Sequence, residues 1–166
     1  MIRALGDIRA NLDLADSIKV GILSDTHGLL RPEVERILEK CDKIVHAGDF
    51  DNKETARRLE QIAPTYMVRG NNDLWLPYGE LRTARFEIGG VRFYMVHNRE
   101  EAGEVPEETD VVVFGHTHQY YEKKENGRLW LNPGSCGRAR FSLPLTMAVM
   151  TIHEGRWRVH RVRIDA

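Results

Sequence analysis

Short apolar runs that break off on a glycine and a polar side chain recur along this chain, and they restrict its fold more than any other feature. The run Ile18-Lys19-Val20-Gly21-Ile22-Leu23-Ser24 stops at Asp25-Thr26-His27-Gly28, Lys43-Ile44-Val45-His46-Ala47 stops at Gly48-Asp49, and Thr65-Tyr66-Met67-Val68 stops near Gly70-Asn71-Asn72-Asp73. Later, Val91 to Val96 ends on His97, and Val111 to Phe114 ends on Gly115-His116-Thr117-His118. Such runs read as buried strands feeding polar loops. Between the first three lie helical patterns. Pro32 suits a first turn, and Val34, Ile37 and Leu38 recur at helical spacing through Lys40; Thr55 to Ile62 puts Ala56, Leu59 and Ile62 on one face. Alternating strands and helices predict a parallel sheet covered by helices.

From residue 84 the texture changes to hairpins. Ala84 to Ile88 and Val91 to Val96 flank Gly89-Gly90, Gln119 to Lys124 and Arg128 to Leu131 flank Glu125-Asn126-Gly127, and Leu145 to Ile152 faces Trp157 to Ile164 across Glu154-Gly155. The expected result is an α/β domain over 18–166, with two mixed sheets face to face and helices outside, preceded by an N-terminal extension over 1–17 read as a short amphipathic helix. Length and composition fit one globular domain: 166 residues, 42% apolar and 30% charged. A formal charge of −1 argues against stable nucleic-acid binding, for which a basic excess is usual. No apolar stretch approaches the roughly 20 residues of a membrane span, and the first residues resemble no signal peptide, so a cytoplasmic protein without membrane contact is expected. Two cysteines, Cys41 and Cys136, form no CxxC pair, which excludes a disulfide framework and a zinc finger.

The polar strand ends carry the chemistry. Asp25, His27, Asp49, Asn71, His97, His116 and His118 are oxygen or imidazole donors, and if the strands lie side by side these groups converge beyond their carboxyl ends. A set of seven suits two divalent ions sharing a carboxylate. Two ions, Asp25, Asp49 and a bridging hydroxide leave a net charge of about +1, suited to an anionic phosphate.

In order, Ser24-Asp25-Thr26-His27-Gly28, Gly48-Asp49, Gly70-Asn71-Asn72-Asp73, Gly115-His116-Thr117-His118 and Asn132-Pro133-Gly134-Ser135 resemble the signature blocks of the calcineurin-like metallophosphoesterases, most closely the small bacterial and archaeal phosphodiesterase branch. The resemblance implies a four-layer α/β/β/α sandwich. It implies that Asp25, His27 and His118 hold one metal, that Asn71, His97 and His116 hold the other, and that Asp49 bridges both and positions the hydroxide. Asp49, Asn71 and His97 are then the catalytic set, with in-line attack of a metal-bridging hydroxide on phosphorus. Manganese is the expected ion, with iron, zinc, nickel and magnesium as alternatives. The substrate implied is a small phosphodiester, and the fold is compatible with a homo-oligomer.

Two positions depart from the family pattern. Many larger relatives carry a histidine where this chain has Asn72, so esters whose leaving alcohol needs little protonation are favoured. The block often written His-Gly-His is here Val96-His97-Asn98. Around the donors, Asn72, Asp51, Asp73 and Ser135 are candidates to orient ligands or substrate. His46, inside a strand, reads as a core residue, His153 and His160 as surface groups, and Arg138 and Arg140 as a solvated loop. Trp75 and Trp130 either line the cleft or pack, and the acidic stretch 100–108 reads as solvated. The competing function is a non-catalytic metal-binding interaction scaffold, since a eukaryotic retromer subunit of this fold serves mainly in that way.

Overall fold

The computed structural model describes residues 16–77, 79–140 and 142–165. The expected helix over 1–17 therefore lies almost wholly outside the described residues. Ten strands and two α-helices follow: β1 (Ile18–Leu23), α1 (Pro32–Leu38), β2 (Lys43–His46), α2 (Lys53–Ile62), β3 (Thr65–Met67), β4 (Thr83–Ile88), β5 (Val91–Val96), β6 (Val111–Val113), β7 (Tyr121–Glu125), β8 (Arg128–Asn132), β9 (Thr146–His153) and β10 (Arg156–Arg163). They form two mixed five-stranded sheets, ordered β10-β9-β1-β2-β3 and β4-β5-β6-β8-β7. In the first, β1, β2 and β3 are parallel, and β9 pairs antiparallel with β1, Ile18 opposite Ile152. In the second, β5, β6 and β8 are parallel, flanked by antiparallel β4 and β7.

The main core lies between the sheets. Val20, Ile22, Val45, Ala148, Met150 and Ile152 of the first meet Phe93, Met95, Val111, Val113, Leu129 and Leu131 of the second. At one edge Tyr66 of β3 stacks on Phe86 at 4.2 Å, and Phe86 on Phe93 at 5.0 Å, joining the sheets through aromatic faces. On the outer face of the first sheet, Val34 and Leu38 of α1 and Ala56 and Leu59 of α2 pack on Leu23, Ile44, Met147 and Ile164. The outer face of the second sheet is covered more thinly. A single 3₁₀ turn, Arg99–Glu101, and the chain after it shield Tyr94, Val96, Val112 and Phe114. There the Arg99 guanidinium lies 4.2 Å from the Trp130 ring centre and is tied to Glu125 at 2.6 Å. Trp130 thus packs on this face instead of lining the cleft between the sheets.

Local chemistry sets the element ends. Helix α2 begins at Lys53, two residues before the sequence pattern suggests, because Asn52 caps it by accepting from the Thr55 backbone N–H at 2.9 Å. Strand β7 starts at Tyr121, since the Gln119 N–H is taken by Thr117 Oγ1 at 3.3 Å. The β4–β5 turn has φ of 56° at Gly89 and 85° at Gly90, the left-handed pair a tight hairpin needs. Cys41 and Cys136 are free thiols. Among the described residues no helix is long and apolar enough to cross a membrane.

Candidate metal centre

The donors reach one place from two sheets, not from neighbouring strands of one sheet as the sequence suggests. Asp25, His27, Asp49 and Asn71 follow β1, β2 and β3 of the first sheet, while His97, His116 and His118 follow β5 and β6 of the second. The loops are sewn across the gap. His97 Nδ1 donates to the Ala47 carbonyl at 2.7 Å, and the His116 N–H donates to Asp25 Oδ2 at 3.0 Å.

Five donors form a buried cluster. Asp25 Oδ1 is 3.3 Å from His118 Nε2, 3.6 Å from His27 Nε2 and 3.8 Å from His97 Nε2. Asp49 Oδ2 is 3.2 Å from His97 Nε2 and 3.8 Å from His27 Nε2, so it faces donors of both sheets. The nitrogens His27 Nε2 and His118 Nε2 approach to 3.2 Å. Asp25–His27–His118 and Asp25–Asp49–His97 are compact enough to hold an ion each. His116 packs its ring edge-on to His97 with centroids 5.3 Å apart, and both His116 and Asn71 are exposed at the rim.

Five of these donors hold left-handed backbone: Asp25 (φ 54°), His27 (47°), Asp49 (64°), His116 (73°) and His118 (63°). Such φ costs a non-glycine residue on the order of 1 kcal/mol or more, and it persists only where the surroundings enforce it. At Asp49 the enforcer is Asp73, fully buried, whose Oδ2 accepts from Asp49 N at 2.8 Å and Gly70 N at 2.7 Å. Its Oδ1 accepts from Phe50 N at 2.8 Å, Asp51 N at 3.0 Å and Trp75 Nε1 at 3.2 Å. Trp75 is thereby a structural partner. Gly70 presses on Asp49, and a methyl there would come within 2.8 Å of the Asp49 carboxyl carbon.

Further residues fix the donors. Asn72 donates its N–H to Asp49 Oδ1 at 2.9 Å, Ser135 donates to the Asp25 carbonyl at 2.9 Å, and Ser24 donates to Asp25 Oδ2 at 2.6 Å. Both oxygens of Asp51 lie 3.0 Å from His27 Nδ1. Arg138 is exposed, as the solvated-loop reading expects, and its Nε also donates to the His27 carbonyl at 3.0 Å. Gly137 lies so close to the Thr26 carbonyl that a Cβ would collide with it, and this brings Arg138 to the same loop. Ser24 and the Ala47 carbonyl carry no sequence signal of their role. His46 is a core residue as expected: its Nδ1 accepts from Gly48 N at 3.0 Å, which leaves Nε2–H to donate to Thr26 Oγ1 at 3.0 Å.

The electrostatics fit a cation. Asp25 Oδ1 is buried without a hydrogen-bond partner. The partners of His27 and His97 at Nδ1 are acceptors only, so in the neutral tautomers both Nε2 lone pairs aim at carboxylates, an arrangement unfavourable until a cation enters. Without an ion, protons meet this need. Burial disfavours the charged form of His97, but Asp49 and Asp25 outweigh it and raise its pKa to about 9. The Asp25 carboxylate likewise raises His27. Burial works to raise Asp25, yet the His118 and His27 imidazoles facing it, when protonated, leave it far below the ordinary carboxylate range. Burial alone dominates at His46, lowering it to about 4.

Residues 18–155 match the family model of the calcineurin-like phosphoesterase superfamily domain. The chain belongs to that superfamily. A probable metallophosphoesterase of Methanothermobacter thermautotrophicus is 31% identical over 144 residues, 78% of this chain and 84% of the relative. The phosphodiesterase MJ0936 of Methanocaldococcus jannaschii is 27% identical over 143 residues, 72% and 84% of the two chains. Among solved structures, vacuolar protein sorting 29 of Cryptosporidium parvum aligns with a TM-score of 0.71 at 19% identity, covering 90% of this chain and 99% of that one. The phosphoesterase YfcE of E. coli aligns at 0.63 and 23%, covering 89% and 100%. These two likenesses establish the calcineurin-like sandwich fold. By family the chain is a phosphoesterase, and its buried Asp and His clusters could hold divalent ions.

Proposed function

We propose that this chain hydrolyses small phosphodiesters with two divalent ions, manganese foremost, in the cytoplasm. The reading rests on one observation: two clefts that share Asn98 reach members of the donor set, one at Asn71 and His97 and the other at the rim residue His116. One, of about 360 Å³, is lined by Gly70, Asn71, His97, Arg69 and Arg82; the other, of about 440 Å³, is lined by His116, Thr117, Phe114, Tyr120 and Tyr121. A phosphorus held at the cluster would then have open space beside both His97 and His116 for the two ester arms of a diester.

Asp25, His27 and His118 would hold one ion and Asn71, His97 and His116 the other, with Asp49 between them. The ions supply a nucleophile from water and offset charge on the phosphoryl oxygens. Asn72 donates to Asp49 and has no titratable proton for the departing alcohol, so acidic leaving groups are favoured.

Chelator-stripped protein is expected to be inactive on bis(p-nitrophenyl) phosphate and to regain turnover with manganese, whereas Asp49→Asn does not. An Asp49→Asn enzyme as fast as its parent sinks the reading. Stoichiometric ion binding without turnover of any phosphoester would favour the interaction scaffold instead.

A further inference from the structure

The imidazoles facing the cluster from opposite sheets are backed by unlike groups. Behind His27 stands a carboxylate, both oxygens of Asp51 lying 3.0 Å from Nδ1. Behind His97 stands a neutral carbonyl, Ala47 O at 2.7 Å. Each acceptor fixes the Nδ1–H tautomer and turns Nε2 to the cluster, but only the carboxylate also makes the ring a stronger donor and adds negative charge nearby. The placement of Asp51 is enforced: its φ is 71°, and its N–H is held by Asp73 Oδ1 at 3.0 Å. His27 belongs to the Asp25–His27–His118 group, and His97 to the Asp25–Asp49–His97 group.

We propose that Asp51 makes the two ion positions unequal, so that the position at Asp25, His27 and His118 fills first and tightly while the position at Asp49 and His97 holds an exchangeable ion. Asp51 is a positioning residue acting through His27. The inference rests on the two-ion reading above, and it makes turnover follow the supply of free divalent ion over the range where the second position fills.

The test is a titration of the metal-free full chain with Mn²⁺, following the paramagnetic resonance signal of the free hydrated ion, which reports binding and not turnover. The parent is expected to show two classes separated by about tenfold or more. Asp51→Asn weakens the tighter class by about 10- to 100-fold, the usual effect of losing such a partner, and leaves the weaker class within about twofold. Asparagine accepts left-handed backbone, and Asp51→Glu, which keeps the charge, recovers part of the tight class. Unchanged affinity in Asp51→Asn, or equal weakening of both classes, overturns the role of Asp51 alone. An end point below two ions per chain overturns the two-ion reading and this inference with it.

Discussion

Replacing Asp73 with asparagine tests whether the metal loops are held by one buried carboxylate. Asp73 serves five N–H donors, two through Oδ2 and three through Oδ1. An amide keeps one oxygen. Placed toward Phe50, Asp51 and Trp75, it turns an NH₂ group on the Asp49 and Gly70 N–H donors, and two charge-assisted bonds are lost. At about 1.5–3 kcal/mol each, the loss is about 3–6 kcal/mol, a large part of the roughly 5–15 kcal/mol that stabilises a domain. Urea unfolding of the chelator-treated protein reads this directly. With a slope of about 2 kcal/mol per molar, the midpoint falls by about 1.5–3 M at unchanged slope, and a variant recovered only unfolded meets the same expectation. A fall of under about 0.5 M refutes the argument, since the loops would then stand without that carboxylate.

Three other outcomes follow from the same geometry. Gly70→Ala pushes a methyl against Asp49 and is expected to cost about 1–3 kcal/mol with weakened ion binding; parent-like stability and affinity count against the close approach. His46 has a folded pKa of about 4 against about 6.5 unfolded, so the unfolded chain takes the proton first and stability falls as pH drops, by about 2 kcal/mol from pH 7 to pH 5. Chelator-treated His46→Gln should lack that slope, and identical profiles for variant and parent would refute it. His97 has the opposite sign: its pKa of about 9 in the ion-free protein stabilises the fold below about pH 6.5, and the contribution fades as pH rises through 9. An ion must displace that proton, so manganese binding at pH 7.5 should release close to one proton from His97, and occupancy should fall below about pH 6. Calorimetry in buffers of different ionisation enthalpy measures the release, and zero exchange contradicts it.

Much of the molecule was legible because its signals are local. Apolar runs breaking off on polar residues located β1, β2, β3, β5 and β6, Gly89-Gly90 located a hairpin, and the strand-end polar groups were visible as a set. Partnership across the chain was not. Nothing around Val149 or Met150 says that β9 inserts beside β1, and nothing in the runs themselves says that the donors meet across the gap between the sheets. Asp73 looks like any turn aspartate until its five N–H partners are assembled from two stretches of chain, 49–51 and its own loop. Backbone groups such as the Ala47 carbonyl have no residue identity to read. The acidic stretch 100–108 was expected to be solvated, and its carboxylates Glu101 and Glu108 do stay at the surface, each meeting an arginine, Arg82 and Arg85.

The left-handed turns at Asp25, His27, Asp49, His116 and His118 set two demands against each other at the same positions. The backbone there is most comfortable as glycine, yet glycine offers no donor atom. A lineage of this fold released from binding ions would drift toward glycine or asparagine at these positions, gaining robustness as it lost chemistry. Exposed His116 shows the conflict most cleanly: changed to glycine, the ion-free chain should melt at a higher temperature than its parent.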